Sequence, residues 1–245
     1  MLYPDRNIKS VGDLLKNLRN HTADLGGQPL WFRGQANKAW SLQPSLFRQQ
    51  GQNSEMSLLK KFKQNAAMLL NPQPSNDFDW LFIMQHHGVP TRLLDWSESP
   101  LVATYFAVNE DSDDDAVLWV LLPVKLNMCS NIEPDYPHDI PSFDEEWLRN
   151  YSTQAVASET TSRLLPLAAI APRNSNRMLA QQGVFTISHR SELTIERIGR
   201  KEHVWRYVIP NQFKHTILSE LRLLGVSKYQ LFPELQSIGE LLREV

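Results

Sequence analysis

Two short stretches of the chain bring together residue types that bind anions and move protons. The first is Trp-Phe-Arg-Gly-Gln at positions 31–35, where a cation, a glycine and an amide follow apolar residues. The planar guanidinium of Arg33, beside exposed backbone N–H groups, suits a phosphate or a carboxylate. Gly34 permits a tight turn or the close approach of a ligand. The alternative interpretation is an arginine that pairs with a carboxylate at the end of a strand.

The second stretch, residues 84–96, holds more polar chemistry than any other part of the chain: Gln85, His86, His87, Thr91, Arg92 and Asp95. A histidine accepts a proton near neutral pH, although a histidine at a helix end is also a common structural hydrogen-bond partner. If residues 91–96 are extended, Arg92 and Asp95 face opposite ways and need not pair. His86 and His87 lack the spacing of zinc ligands, and no HExxH motif or cysteine accompanies them. The sequence therefore predicts no metal site.

Residue patterns predict the elements that position these two stretches. Residues 30–32 have the β-preferring side chains of a short buried strand, and residues 91–96 are expected to be extended. Ser99-Pro100 has the capping hydroxyl and the first-turn proline of a helix start. The apolar run 116–122 predicts a strand in the centre of a sheet.

The rest of the chain predicts mixed helices and strands, followed by a half richer in strands. Helices are expected to begin at Ser10, Ser54 and Asp77, where a capping side chain precedes an apolar periodic run. Strands are expected at 164–171, 184–188, 193–198 and 204–209, and helices at about 211–224 and 233–243. Residues 123–160 predict a long, partly ordered insertion near the edge of the sheet. This order predicts an α+β fold in a single domain of residues 1–245.

Composition limits the classes of protein to which the chain can belong. Its 245 residues, with 42% hydrophobic content, support a substantial core. A run of about 18 apolar residues is absent, and the first residues lack the pattern of a signal peptide. Cys129 is the only cysteine, which excludes an intrachain disulfide. We therefore expect a cytoplasmic protein with no membrane span.

Charge is distributed unevenly along the chain. Residues 109–146 hold eleven acids and one lysine, whereas residues 163–215 hold nine Lys and Arg side chains and three acids. Such a split steers an anionic partner to one face, or the two segments lie together and neutralise each other. Aromatic residues are interleaved in the basic segment: Phe185, Trp205, Tyr207 and Phe213. They suit stacking on nucleic acid, but aromatics that alternate along strands are also common in a core.

Three motifs in a fixed order resemble the bacterial FRG domain family, which is named for its Phe-Arg-Gly motif. They are Trp-Phe-Arg-Gly-Gln at 31–35, Gln-His-His-Gly-Val-Pro-Thr-Arg-Leu-Leu-Asp-Trp-Ser-Glu-Ser-Pro-Leu-Val-Ala-Thr-Tyr-Phe-Ala at 85–107, and Asn-Arg-Met-Leu-Ala-Gln-Gln-Gly-Val-Phe-Thr at 176–186. The resemblance runs from about residue 8 to residue 210. It implies one FRG domain, with C-terminal helices at 211–245.

The same motifs also resemble, more weakly, those of ADP-ribosyltransferases. Those enzymes hold NAD with an Arg-Gly or His-Gly pair on a first strand. A second strand and a helix of the pattern small-x-x-aromatic-Ala follow, and a last strand starts at a Glu or Gln. Here Arg33-Gly34, residues 91–107 and Gln181-Gln182-Gly183 stand at those positions. This resemblance implies a split sheet of mixed and antiparallel strands flanked by helices, NAD as a substrate, and no metal.

The ADP-ribosyltransferase resemblance also implies roles for individual residues. The positions matched to NAD binding are Arg33, Gly34, Gln35, Thr91 and Arg92. Gln182 is the catalytic position that the resemblance matches, and His86 and Asp95 are the further catalytic candidates. Gln182 stands where the transferases usually carry a glutamate, and a glutamine accepts a ribose hydrogen bond but brings no negative charge. Asp95, Glu192 and His86 are the candidates to supply what Gln182 lacks, with Asp95 preferred.

Two functions follow from these residues and their resemblance. One is an NAD-dependent ADP-ribosyltransferase that modifies nucleic acid or protein, as an intracellular toxin or phage-defence effector with a neutralising antitoxin as a compatible partner. The other is an interaction module that binds a nucleotide or a phosphate without turnover. A metal-free nuclease that uses His86 or His87 is the weakest interpretation, because no histidine is paired with them across the fold.

Overall fold

One mixed sheet of seven strands organises the computed structural model, which describes residues 1–48, 54–110, 112–132, 135–136, 138–158, 164–190 and 193–243. The strands are β1 (Arg6–Asn7), β2 (Trp31–Gln35), β3 (Leu93–Ser97), β4 (Ala116–Leu121), β5 (Leu167–Ala169), β6 (Gly183–Ile187) and β7 (Val204–Ile209). Their order across the sheet is β1-β7-β4-β2-β3-β6-β5. Strands β1 and β7 are parallel, and the other neighbouring pairs are antiparallel. The expected mixed sheet is confirmed.

Helices accompany this sheet along the whole chain. They are α1 (Val11–Thr22), α2 (Ser45–Arg48), α3 (Glu55–Ala66), α4 (Asp77–His86), α5 (Pro100–Val108), α6 (Pro123–Cys129), α7 (Thr153–Ser158), α8 (Asn176–Ala180), α9 (Lys214–Leu223), α10 (Lys228–Leu231) and α11 (Leu235–Leu241). In the described part of the chain, none of them is both long enough and apolar enough to cross a membrane. The helices and the mixed sheet together confirm the expected combination of α and β structure.

Serine side chains cap the helices whose starts the sequence predicts. The Ser10 hydroxyl accepts from the Asp13 N–H at 3.0 Å, and the Ser99 hydroxyl accepts from the Val102 N–H at 3.3 Å. Ser54 caps α3 in the same way. Helix α4 differs from the prediction by one residue, because Asn76 rather than Asp77 is its cap. These caps fix where the helices begin, since each satisfies an N–H group that has no partner inside its helix.

The segment predicted as an insertion is more ordered than expected. Pro123 begins helix α6 directly after β4, and helix α7 follows later in the segment. The Asn127 amide of α6 brackets the backbone of Ala168 in strand β5, accepting from its N–H at 2.7 Å and donating to its carbonyl at 2.9 Å. The segment thus lies at the sheet edge, as predicted. The Asn127 side chain satisfies backbone groups of β5 that an edge strand leaves unpaired.

The strand predicted at 193–198 is absent, and that prediction was wrong. Residues Ile195–Arg197 form a 3-10 turn. Ile195 and Ile198 are buried, each 1% exposed. Their side chains are apolar because this turn is buried. The residue pattern of a buried turn cannot be distinguished from that of a short strand.

Helix α5 packs directly across strand β2 and fixes one face of the sheet. Phe32 faces this helix and belongs to a buried cluster with Val102, Ala103 and Tyr105. Trp31 points to the opposite face, where it joins Trp96 and other residues in a separate cluster. The alternation of side chains along a strand thus gives β2 two apolar faces, with Arg33 on the same side as Trp31.

Strands β2 and β3 diverge near the middle of the sheet. They are in register at one position only, Phe32 opposite Ser97, whereas β2 and β4 match at five positions. Beyond that position the backbone groups of β2 and β3 no longer pair with each other. The divergence opens a space between the two strands that carry the first two sequence motifs.

Two histidines lie in the core with a pKa below the ordinary value. His21 Nδ1 and the Tyr207 hydroxyl share a hydrogen bond of 2.8 Å, and His203 Nε2 donates to the Ile195 carbonyl at 2.9 Å. Both side chains are at most 5% exposed. Burial is the main cause that lowers the pKa of each, because a charged imidazole loses its hydration there.

The protein should therefore lose stability as the pH falls from about 7.5 to about 5.5. Below pH 6.5, the ordinary value, the unfolded chain binds more protons at His21 and His203 than the folded chain does. The stability that these histidines contribute at neutral pH is lost as the pH falls towards their lower folded-state pKa. The slope is at most about 1.4 kcal/mol per pH unit for each histidine.

Urea unfolding at intervals of half a pH unit measures this slope. The variant His203→Gln offers an amide nitrogen in place of Nε2 and should reduce the slope. A free energy of unfolding that rises on acidification through this range would contradict the assignment of the two histidines.

Candidate functional site

A cavity of about 880 Å³ lies where strands β2 and β3 separate. Its walls come from β2, β3, helix α4, helix α8 and residues 69–75, which connect α3 to α4. The volume lies within the range of about 300–1,000 Å³ that small-molecule sites occupy. Its lining includes five residues that the sequence assigned to a site: Arg33, Gly34, Gln35, His86 and Asp95.

Arg33 bridges the gap between the diverging strands. Its Nη1 donates to the backbone carbonyl of Asp95 at 2.6 Å and lies 4.0 Å from the Asp95 carboxylate. Its Nε is buried and has no hydrogen-bond partner among the described residues. Burial lowers the pKa of Arg33, and the Asp95 charge partly offsets this. The guanidinium thus has a carboxylate nearby, as the alternative interpretation expected, and it also keeps a free donor.

The Asp95 carboxylate is held in the cavity by a short chain of hydrogen bonds. The Gln85 amide nitrogen donates to Asp95 Oδ2 at 2.7 Å, and the Thr91 hydroxyl donates to Gln85 Oε1 at 2.6 Å. The Asp95 side chain is 53% exposed, which leaves its other oxygen open to a ligand. Thr91 is fully buried and does not line the cavity. Its position is that of a residue that orients Gln85, not of one that contacts NAD.

His86 is the last residue of helix α4 and lines the same cavity. Burial lowers its pKa first, and the positive charges of Arg177 and His87 lower it further. The Glu234 carboxylate, 4.0 Å from Nε2, acts in the opposite direction. The imidazole is therefore neutral at pH 7 and able to accept a proton.

Gly34 and Gln35 line the cavity, but the fold explains both. A Cβ at position 34 would lie 1.9 Å from the Ala103 carbonyl oxygen of helix α5. Glycine is thus required by the packing of α5 on β2, and not by a ligand as the sequence suggested. The Gln35 amide accepts from Trp119 Nε1 at 2.8 Å and donates to the Ser41 carbonyl at 3.2 Å, so both ends of the amide have partners.

Arg92 is removed from the site by the structure. It is 2% exposed and does not line the cavity. Its Nε donates to Glu55 at 2.7 Å, and its Nη atoms donate to the Ser188 and Tyr151 carbonyls at 2.8 and 2.7 Å. Each of the three guanidinium nitrogens therefore has a partner within the protein, so we correct its assignment as an NAD-binding residue.

Gln182 also lies outside the cavity, and its neighbour takes its place. Gln182 is exposed in the turn after α8, with a positive φ of 48°. Gln181 lines the cavity instead, and its Nε2 donates to the Leu231 carbonyl at 3.0 Å. The assignment of Gln182 to the catalytic group is therefore corrected. The other sequence candidate, Glu192, lies outside the described residues.

The cavity also contains residues to which the sequence assigned no role. Arg48 at the end of α2, Arg177 of α8 and Trp40 all line it. Arg177 stands inside the third sequence motif, so its charge was a usable signal. Arg48 and Trp40 stand in a polar segment, where neither periodicity nor a motif marks them.

The comparisons with known proteins identify one part of the chain. Residues 28–116 match the model of the FRG domain. Over these residues the chain is similar to the FRG domain. The match includes the first two of the three motifs, and thus both strands that diverge at the cavity, while the third motif lies beyond it. No curated protein and no solved structure matches the chain.

Three of the four aromatic residues in the basic segment lie in the core, which is the alternative that the sequence left open. Phe185, Trp205 and Tyr207 are buried, at 5%, 0% and 0% exposure, and are unavailable for stacking on bases. Asp115 of the acidic segment forms an ion pair of 2.7 Å with Lys38, outside the basic segment. Within the described ranges, no three His, Cys, Asp or Glu side chains come together as a metal site.

Proposed function

We propose that the protein binds NAD in this cavity and transfers its ADP-ribose unit to an acceptor, which is nucleic acid or protein. The observation that carries the proposal is the meeting of three groups in one cavity of about 880 Å³: the Arg33 guanidinium, the Asp95 carboxylate and the neutral His86 imidazole. They come from β2, β3 and α4. A cation, an anion and a base are the groups that this transfer needs.

The reaction breaks the bond between C1′ of the ribose and the nicotinamide nitrogen. The electron pair returns to that nitrogen and removes its positive charge, so the leaving group needs no strong acid. The acceptor forms a bond to C1′ and loses a proton. The transition state resembles an oxocarbenium ion, as in glycoside hydrolysis.

Each of the three groups has one role in this proposal. The Arg33 guanidinium, whose side chain is 18% exposed, binds the pyrophosphate. The Asp95 carboxylate, fixed by Gln85, faces the developing positive charge at C1′ and lowers its energy. His86 accepts the proton of the acceptor. The divergence of β2 and β3 also supports a sheet of the ADP-ribosyltransferase type, which we include in the proposal.

Arg33→Ala should weaken NAD binding by about tenfold to a hundredfold, because one charge-assisted contact contributes about 1.5–3 kcal/mol. Isothermal titration calorimetry with NAD measures the effect. Arg206→Ala is the matched control, since Arg206 also lies on a strand of the sheet and pairs with an aspartate, Asp5, at 2.8 Å, but does not line the cavity. Equal affinities for both variants would remove Arg33 from the site.

Turnover is tested by incubating the protein with NAD labelled in the adenine and a cell lysate. Release of nicotinamide is measured, and the labelled products are digested separately with nuclease and protease. Label that is lost to one enzyme identifies the acceptor class. An Asp95→Asn variant separates binding from turnover, because it should still bind NAD but release little nicotinamide. Release by wild type that does not exceed that of Arg33→Ala would rule out the transferase.

Binding without turnover is the alternative function. The position of Gln182 outside the cavity favours binding without turnover. The transferases usually carry a catalytic glutamate at this point of the sequence, and Gln182 does not replace it in the cavity. An NAD-binding protein that releases no nicotinamide in any lysate would support this alternative. The proposed role as a toxin or phage-defence effector is tested by expression in bacteria, where growth arrest should be relieved by Arg33→Ala.

A further inference from the structure

Arg177 is a cavity cation for which the described residues offer no ion pair. It lies on α8, it is partly buried, and it lines the cavity that Arg33 also lines. Two other partly buried arginines have carboxylates at ion-pair distance: Arg173 pairs with Glu98, and Arg206 pairs with Asp5. Among the described residues, no carboxylate pairs with Arg177. The cavity therefore presents its charge to whatever occupies it.

The Phe232 ring holds this guanidinium in place. The centre of the ring lies 4.6 Å from Arg177 Cζ, which is a cation–π contact. Phe232 also meets Phe106, a cavity residue of α5, edge to face at 5.9 Å. Phe232 itself does not line the cavity. It therefore supports the cavity wall from behind.

Phe232 belongs to a segment, residues 231–234, that contacts the cavity wall at three elements. The Leu231 carbonyl accepts from Gln181 after α8, Phe232 packs on α5 and α8, and the Glu234 carboxylate lies 4.0 Å from His86 at the end of α4. This segment lies far beyond the residues that match the FRG domain. The C-terminal part of the chain thus completes a site whose two diverging strands, β2 and β3, lie inside the matched residues.

We propose that Arg177, oriented by Phe232, forms a second phosphate-binding subsite of the cavity, in addition to Arg33. The subsite binds a phosphate group of a nucleotide, which belongs either to NAD or to a nucleic-acid acceptor. The identity of the nucleotide rests on the proposed function. The binding of a phosphate group by Arg177 does not. Phe232 is a positioning residue, because it acts through Arg177.

Phosphate is the ligand chemistry that these residues fit best. A guanidinium forms paired hydrogen bonds with two phosphate oxygens. The Asn174 amide and the Ser175 hydroxyl also line the cavity, next to Arg177 in the chain, and are neutral donors for a further oxygen.

The test measures binding of three probes by calorimetry: NAD, inorganic pyrophosphate and a short single-stranded oligonucleotide. Arg177→Ala should weaken at least one of them by about tenfold or more. The control is Arg149→Ala, which removes the same charge from a side chain that is 77% exposed. A loss with NAD assigns the subsite to the dinucleotide, and a loss with the oligonucleotide alone assigns it to the acceptor.

Phe232 is tested with two variants whose melting temperatures are checked first. Phe232→Leu should weaken the same probe by about twofold to fivefold, and Phe232→Tyr, which keeps the ring, should restore binding. The pKa of His86, followed by NMR, reports the loss of the Arg177 charge in variants whose melting temperature equals that of wild type, because burial of His86 is then unchanged. It should rise in Arg177→Ala, because a nearby positive charge is removed, and also in Phe232→Leu.

Two results would overturn the subsite. One is equal affinity of Arg177→Ala and Arg149→Ala for all three probes. The other is a wild-type protein that binds none of the probes at millimolar concentration. If wild type binds pyrophosphate through Arg177 but does not bind NAD, the subsite stands and the proposed function fails. The two proposals can therefore be separated in one set of titrations.

Discussion

Replacing Glu55 with glutamine should lower the free energy of unfolding by about 3–5 kcal/mol, because it leaves the Arg92 charge buried without its partner. The Glu55 carboxylate accepts from the Arg92 N–H at 2.9 Å, from Arg92 Nε at 2.7 Å and from the Thr153 hydroxyl at 3.0 Å. Its side chain is 6% exposed. One carboxylate thus joins the start of α3 to residues next to β3 and in α7.

Urea unfolding monitored by circular dichroism measures this loss. Arg149→Ala, which breaks an exposed pair with Glu146, is the control and should change stability by less than about 1 kcal/mol. The double variant Glu55→Leu/Arg92→Met should recover much of the loss, because apolar residues of similar size replace buried ion pairs well. A loss below about 1 kcal/mol for Glu55→Gln would show that Arg92 does not depend on Glu55.

Gly34→Ala should be the most damaging single change in the motif that names the FRG domain, with a loss of about 3 kcal/mol or more. The added Cβ would lie 1.9 Å from the Ala103 carbonyl oxygen and 2.6 Å from the Ala107 nitrogen. Both are backbone atoms of α5, so no change of rotamer removes the overlap. The helix would have to move away from β2 and expose the apolar residues around Phe32.

The matched control for this prediction is Gly12→Ala in α1, where the nearest atom to the new Cβ is Ser10 Oγ at 3.6 Å. That change should stabilise the protein by up to about 1 kcal/mol, since alanine favours helices over glycine. The two glycine substitutions are therefore expected to have opposite signs. If Gly34→Ala keeps its stability but loses NAD binding, position 34 approaches a ligand and the packing explanation is wrong.

Residue types in the first two motifs did not predict which of their arginines lines the cavity. Arg33 and Arg92 are both arginines in polar motifs, and their residue types alone do not separate their roles. Arg33 meets the cavity at the divergence of β2 and β3. Arg92 is enclosed by Glu55, 37 residues earlier, and by Ser188, 96 residues later. Its burial depends on contacts at separations that local patterns do not contain.

Residue types also did not predict which of the adjacent residues Gln181 and Gln182 lines the cavity. Both follow helix α8, and both fit the position where a transferase-like pattern expects Glu or Gln. The positive φ of Gln182 turns its side chain out of the cavity, while Gln181 lines the wall and donates to the Leu231 carbonyl. Which of two adjacent side chains enters a site depends on the angle of one turn.

The sequence alone determined the local features of this protein: the helix starts at Ser10, Ser54 and Ser99, the central apolar strand, and the two motifs that identify the FRG domain. These features depend on hydrogen bonds and side-chain alternation within a few residues. The tertiary structure decided what each motif residue does. It placed Arg33, His86 and Asp95 in one cavity, enclosed Arg92 in the core, made Gly34 a packing requirement and brought Phe232 behind Arg177. Those outcomes follow from burial and from contacts between distant segments, which only the folded chain brings together.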